Sequence, residues 1–394
     1  MFQQSRHFTP DFRTWDQAEA LAAIREIAAD AITALDKRTL WTAHPQDDDL
    51  PDGLGSLYFG AAGVIWALDY LHRVQAIAGI PDLEAPLQVA LERNAPWFAD
   101  ESYPSHASLL MGDLGIRLVQ MRVAPTADLA DAIYASIASN SALPSVELMW
   151  GLPGSMLACV HMQAMTRDVR FKTLFQTQAT RLLSELETTE EGAIWTQDLY
   201  GMHRRWLGAV HGFAGNMVPF LRGWDWLTSE QRNVVADAAS RTLEAHAVHS
   251  ALGANWPTHV PASKPPHLCQ HCHGAPGIVT SFADAPFSDP SFEALLLEGG
   301  NLTWNAGPLG KGSNLCHGTG GNGYALLKLY QRTRDPLWLE RARAFAMAAI
   351  DQVREARAAF GRGRYSLWTG DVGLAVYLWD CTTGTPRFPT IDVI

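Results

Sequence analysis

Apolar positions divide the chain into two kinds of segment that alternate along its length. The first kind keeps a polar face at helical spacing and covers residues 17–35, 87–99, 126–140, 171–187, 230–248, 291–300 and 337–357. Apolar residues recurring three and four apart predict amphipathic helices there. The second kind is apolar nearly all round. It reads VIWALDYL after Gly63, IRLVQM after Gly115, SMLACVHM after Gly154, NMVPFL after Gly215, IVTSFA after Gly277, NGYALLKLY after Gly321 and LAVYLWD after Gly373. A helix with no polar side has nothing to offer water, so these runs predict buried helices.

A Gly-x-x-Gly motif introduces every apolar run, beginning at Gly60, Gly112, Gly151, Gly212, Gly274, Gly318 and Gly370. The order is polar-faced helix, motif, buried helix, seven times over. Such a unit cannot cover its own apolar surface and must be covered by its neighbours. The predicted fold is all-α, an α/α toroid with a double ring of seven inner and seven outer helices, in one domain spanning 1–394. An open solenoid is the alternative. Glycine at the head of each inner helix permits a tight turn and close backbone approach, so the seven motifs should crowd one end of the barrel. The proline-rich stretch 257–266 then reads as a loop beside that end.

Composition narrows the function. At 47% hydrophobic and 18% charged residues, the 394-residue chain is of ordinary globular type. A net charge of −11 argues against a general nucleic-acid binder and against docking on an anionic membrane. No apolar run has the length of a membrane span. Residues 1–14 are polar and lack the apolar core of a signal peptide, so a cytoplasmic location is expected. Five cysteines, odd in number and sparse, do not form a disulfide framework.

Three motifs carry metal- or proton-handling groups just ahead of the first glycine: VHGFAG (210–215), HCHGAPG (271–277) and LCHGTG (315–320). In a ring, equivalent positions converge. Cys272, Cys316 and His317 would supply two thiolates and one imidazole, leaving the fourth tetrahedral place of Zn²⁺ for substrate, as catalytic zinc sites do. A thiol entering that place would lose its proton near neutral pH. His211 is then the natural proton donor or acceptor. Blander readings stand beside this one. Buried cysteine is often a small hydrophobe, which is the reading for Cys159 and Cys381. Cys269 and Cys272 form a CxxC, which suits a structural zinc site or a redox pair. The first would want a second pair and the second a β-rich fold, leaving Cys269 a bystander or an alternative ligand.

The segments HGFAG, HCHGAPG and LCHGTGGNGYALL resemble the signature of lanthionine synthetase C-like proteins, over essentially the whole chain. The resemblance implies the same double ring, zinc ligands Cys272, Cys316 and His317, and a catalytic His211. It places Glu147, in VELMWGLPG, where the glutathione-using subgroup carries glutamate and peptide cyclases carry aspartate. Lys311, five residues before Cys316, looks like that subgroup's glutathione-contacting lysine, and Arg6 like its N-terminal arginine. His273 stands where cyclases usually have tyrosine, and His271 departs from the family's usual tryptophan; both are expected at the substrate pocket. The implied activity is zinc-dependent Michael-type addition of glutathione to dehydroalanine or dehydrobutyrine in a protein or peptide, giving a thioether. Lanthionine formation by a cysteine thiol of the same peptide is the alternative, and a non-catalytic zinc- and thiol-binding scaffold a second one. A glycosidase on this fold would need two carboxylates facing the cavity, and only Glu147 is a candidate.

Overall fold

The computed structural model describes the chain except residues 10, 48–49, 98–106 and 141–144. Its described residues form fourteen α-helices. In order they are α1 (Gln17–Thr33), α2 (Ala61–Arg73), α3 (Glu84–Trp97), α4 (Asp113–Val123), α5 (Ala127–Asn140), α6 (Leu152–Thr166) and α7 (Val169–Ser184). Then come α8 (Phe213–Arg222), α9 (Ser229–His246), α10 (Ala275–Phe282), α11 (Pro290–Ala306), α12 (Thr319–Thr333), α13 (Pro336–Phe360) and α14 (Asp371–Thr383). Even-numbered helices are the apolar runs. Each packs on the next even-numbered helix, and α14 packs on α2, so the inner ring closes. Odd-numbered helices wrap it, with α1 against α13 and α14 sealing the outer layer. The toroid expected from the repeats is the observed architecture. No described helix is long and apolar enough to cross a membrane.

The two layers start their helices differently. Outer helices use side-chain caps: Asp16, Asp168, Asp289 and Asp335 accept first-turn N–H groups, and Thr228 with Gln231 forms a capping box. Every inner helix is capped by the first glycine of its motif, which has no side chain to offer. The loop running in supplies the missing acceptors. Ala61 and Ala62 donate to the Leu54 and Gly55 carbonyls, and Thr319, Gly320 and Gly321 to Gly312, Ser313 and Asn314. Inner helices are buried along their length, as in α2, where Ala61 to Leu71 are all inside. The α10 helix, of 8 residues, is too short to persist alone and is held by packing.

Ring closure explains the second glycine of each motif. It faces the side chain that stands three residues ahead of the first glycine in the preceding repeat. Gly115 meets Leu57, Gly321 meets His271, and Gly63 meets Leu367 across the closure. A Cβ on Gly321 would collide with the Leu315 carbonyl and lie 3.1 Å from His271 Cβ.

Several expected boundaries move. The 291–300 helix extends to Ala306, because Gly299 and Gly300 do not end it. They let α11 approach closely, and a Cβ on Gly300 would strike Leu329 and Trp338. The helix expected over 87–99 starts at Glu84, and residues 98 and 99 lie outside the described ones. The described residues also form seven short strands: β1 (Glu187–Thr189), β2 (Gly192–Ile194), β3 (Gln197–Leu199), β4 (Met202–Trp206), β5 (Val248–Ser250), β6 (Gly253–Asn255) and β7 (His259–Val260). They are antiparallel, in sheets β1–β2, β3–β4–β7 and β5–β6. Part of the 257–266 stretch is thus a strand, with Trp206 opposite His259.

After α14, the segment through Phe388 and Thr390 packs on the inner helices. Phe388 is fully buried and stacks on His271 at 4.5 Å. The buried Lys328 ammonium sits between Asp284 and Asp392, and His161 Nε2 lies 3.1 Å from the Thr390 carbonyl.

Candidate metal and proton-transfer site

The three residues ahead of each first glycine occupy three levels around the rim. Cys272 and Cys316 share the middle level with Tyr58, Leu110, Met149, Val210 and Trp368. Backbone bonds tie this level together. Cys272 N–H donates to Cys316 (3.0 Å), Cys316 to Trp368 (2.9 Å), Trp368 to Tyr58 (3.3 Å), Tyr58 to Leu110 (2.9 Å) and Leu110 to Met149 (3.3 Å). This circular ladder brings residues from motifs one, five, six and seven side by side.

One ligand atom each from Cys272, Cys316 and His317 lies within 4.8 Å of the other two. Both sulfurs are buried and the imidazole is half-buried. The thiols share a hydrogen bond, and its effect is opposite on the two. The bond from Cys316 holds the Cys272 thiol below its usual range, and the Gln270 amide and the Lys311 charge act the same way. The same bond and burial push Cys316 well up. Two thiolates side by side without a cation repel, so one proton stays with the pair. Two sulfurs and one imidazole are a donor set for a borderline-soft divalent ion, and Zn²⁺ fits these residues. Each cysteine stands two residues before the N-cap glycine of an inner helix, where the helix dipole favours an anion. Gly274, the cap after Cys272, has φ +110°, a conformation that glycine alone adopts readily.

Side-chain donors address both sulfurs. Tyr58 O–H donates to Cys316 Sγ at 2.7 Å, and Gln270 Nε2 to Cys272 Sγ at 2.9 Å. Arg6 Nη2 donates to Gln270 Oε1 at 2.9 Å. The N-terminal segment that carries Arg6 pairs with the loop before Cys316, through Phe8 N–H to Pro308 and Gly310 N–H to Arg6.

His211 holds the level nearest the glycines in motif four. Its Nδ1 lies 2.9 Å from Glu147 Oε2. Glu147 is buried and also accepts the N–H of Met149 (3.1 Å) and of Trp150. The ladder turns aside here, since the Met149 N–H goes to this carboxylate. A carboxylate fixed by two backbone donors keeps Nδ1–H of the imidazole directed at it and leaves Nε2 for chemistry. Tyr200 stands edge-on to His211, 5.5 Å between ring centres, at the tip of the β3–β4 hairpin. Its oxygen accepts Trp150 Nε1–H at 2.9 Å.

The remaining expected residues fall as follows. Lys311 is exposed and lines a cleft with His44, Asn314, Arg362 and Arg364. His273 packs on Trp206, 6.0 Å between centres, and burial pulls its pKa down to about 3. His271 takes the ring-contact level occupied elsewhere by Leu57, Leu109, Leu148, Ala209, Leu315 and Leu367. It stacks on Phe388 and lies tilted against Trp368, 5.7 Å between centres, with its pKa lowered to about 3 by burial. Cys269 is outside the ligand group, its thiol pushed up to about 12 by burial. Tyr58, Gln270 and Tyr200 were not singled out from sequence. Aligning the seven motifs level by level would have flagged Tyr58, which occupies the cysteine position.

The sequence model of the family described as lanthionine synthetase C-like protein matches residues 17–393, and the chain belongs to that family. Over 129 residues it is 33% identical to a zebrafish (Danio rerio) protein named glutathione S-transferase LANCL1, covering 32% of each chain. Over 82 residues it is 40% identical to LanC-like protein GCL1 of Arabidopsis thaliana, covering 20% of this chain and 19% of that one. The chain thus spans about a third or less of the length of these curated relatives. The solved structure of nisin cyclase aligns with TM-score 0.59 over 83% of this chain and 88% of that chain, at 13% identity, a likeness of fold alone.

Proposed function

We propose that the protein adds the thiol of glutathione to the β-carbon of dehydroalanine or dehydrobutyrine in a peptide or protein. The observation that carries this reading is the His211–Glu147 pair on the same rim as the Cys272, Cys316 and His317 group. Zn²⁺ held by those three residues would supply the Lewis acidity that ionises a thiol near neutral pH. The chain's own groups account for the rest. When a thiolate bonds to the β-carbon, the electron pair of the double bond moves to the α-carbon as an enolate. That carbon needs a proton, and His211, its Nδ1–H held by Glu147, would take the thiol's proton at Nε2 and pass it to that carbon. The new C–S bond and the transferred proton saturate the double bond, leaving a thioether. Lys311, exposed beside the cysteine pair, is the cation placed to meet a glutathione carboxylate. The relative named glutathione S-transferase supports the choice of thiol.

Zinc-loaded protein is to be incubated with a dehydroalanine peptide, with and without glutathione, and the products weighed by mass spectrometry. A glutathione adduct formed only with active protein is the expected result. Ring closure of a cysteine-containing peptide without glutathione would assign the intramolecular cyclase reaction. No product in either arm would leave a binding scaffold.

A further inference from the structure

The two sulfurs of the candidate site are more than close to each other. Each has one dedicated side-chain donor, and the donors come from parts of the chain that the metal motifs do not include. Tyr58 belongs to motif one, 258 positions from Cys316. Gln270 is buried two residues before Cys272 and held in a tight turn, in which Gln270 N–H and His273 N–H donate to each other's carbonyls at 3.1 Å.

An amide can face either way, and Arg6 settles which way this one faces. A guanidinium has only N–H donors, so the Gln270 atom 2.9 Å from Arg6 Nη2 must be the oxygen. The NH₂ end then points at Cys272 Sγ, 2.9 Å away. Sulfur opposite an N–H donor is an acceptor, which is the role of a thiolate. Tyr58 likewise aims its only hydroxyl proton at Cys316 Sγ.

We infer that Tyr58 and Gln270 are positioning residues that hold the Cys316 and Cys272 sulfurs as hydrogen-bond-accepting thiolates, and that Arg6 acts on the site through Gln270. This rests on the metal reading given above. Two ligand thiolates and one imidazole balance a divalent cation, and a third, incoming thiolate makes the buried cluster anionic. A buried negative charge needs donors around it. A hydrogen bond to a ligand sulfur also draws electron density from it, keeping the cation a stronger acid toward the incoming thiol.

The test measures zinc affinity by chelator competition, and the sulfur-to-metal charge-transfer band of the Co²⁺-substituted protein. Wild type, Tyr58→Phe, Gln270→Ala, Gln270→Glu and Arg6→Met are compared, with the thermal stability of each metal-free protein as a folding control. Tyr58→Phe and Gln270→Ala should each weaken zinc about 10- to 100-fold, the range for lost partners of metal ligands, and shift the cobalt band. Arg6→Met should reproduce part of the Gln270→Ala loss and add nothing to it in the double variant. Gln270→Glu is the deciding variant. It keeps the contact with Arg6 but has no proton for sulfur, so it should bind zinc no better than Gln270→Ala. Wild-type affinity and band in Gln270→Glu would overturn the inference, leaving Gln270 a mere anchor for Arg6. A wild-type protein that takes up no zinc would instead overturn the metal reading itself, and this inference with it.

Discussion

Glu147 Oε2 and His211 Nδ1 lie 2.9 Å apart, joining the approach to motif three with motif four. The carboxylate also closes two backbone N–H groups of its own loop. One side chain therefore both shapes that loop and orients the imidazole.

Glu147→Gln should expose this double duty. Glutamine has a single acceptor oxygen for three N–H donors, and its NH₂ must face one of them. A mispaired buried donor costs about 1–3 kcal/mol of stability. Thioether formation should fall about 10²- to 10⁴-fold through loss of oriented proton transfer, with zinc content unchanged. His211→Asn should show the same rate loss with a smaller change in unfolding midpoint. Denaturant titration together with product mass spectrometry separates the two effects.

Metal removal should silence the protein without unfolding it. The rim ladder and the helix packing need no ion, so circular dichroism after chelation should keep its helical signal. Thermal stability should fall by an amount set by affinity, about 4 kcal/mol where free zinc had been a thousand times the dissociation constant. Restoring Zn²⁺ should restore both midpoint and activity. Loss of helical signal on chelation would make the metal a structural clamp.

Much of this was legible in the sequence because its signals are local. Gly-x-x-Gly followed by an apolar run is written in consecutive residues, and all seven inner helices begin directly after the motif's first glycine. The ligand group was legible for a related reason, since a ring converts equal motif positions into spatial neighbours. Contacts across the ring had no such signal. Nothing near Tyr58 tells that its hydroxyl reaches Cys316, and Arg6 meets Gln270 only after the N-terminal segment pairs with residues 307–310. Short strands such as Gln197–Leu199 are too brief to show alternation. The Gly299–Gly300 pair looked like a stop because a glycine serving close packing has the same letter as one ending a helix.

Gly321→Ala should test the packing of the ring. The added methyl would meet the Leu315 carbonyl and His271 Cβ, neighbours of Cys316 and Cys272 respectively. Overpacking of this kind costs about 1–3 kcal/mol, and zinc affinity should drop as the two cysteines are pushed apart. Gly79→Ala, where a Cβ meets nothing within 4 Å, is the control and should stay within about 0.5 kcal/mol of wild type. Chemical denaturation and chelator competition check both.

Acid should weaken the end of the barrel around residue 390. Burial lowers the pKa of His161 to about 4, its bond to the Thr390 carbonyl opposing the shift. The Arg222 charge lowers it further and Asp392 raises it. The folded pKa lies below the unfolded value of about 6.5, so the neutral form is the one folding favours. Its stabilisation is full above about pH 6.5 and is lost as pH falls toward 4, by at most about 3 kcal/mol. His161→Gln keeps an N–H for Thr390 but cannot take a proton. The difference between wild type and variant in urea should therefore narrow or reverse from pH 7.5 to pH 5. An unchanged difference would show that His161 titrates normally.

The joining of motif seven to motif one has a consequence for biosynthesis. The Trp368 N–H bond to Tyr58 and the packing of α14 on α2 are made between segments some 300 residues apart. Contacts of such separation form late. A chain still on the ribosome already displays both sulfurs, yet it lacks the wall that surrounds them until the seventh repeat has emerged. Loading with the ion is therefore expected to follow translation, and a product arrested before α14 should be inert and prone to clump through its uncovered inner helices.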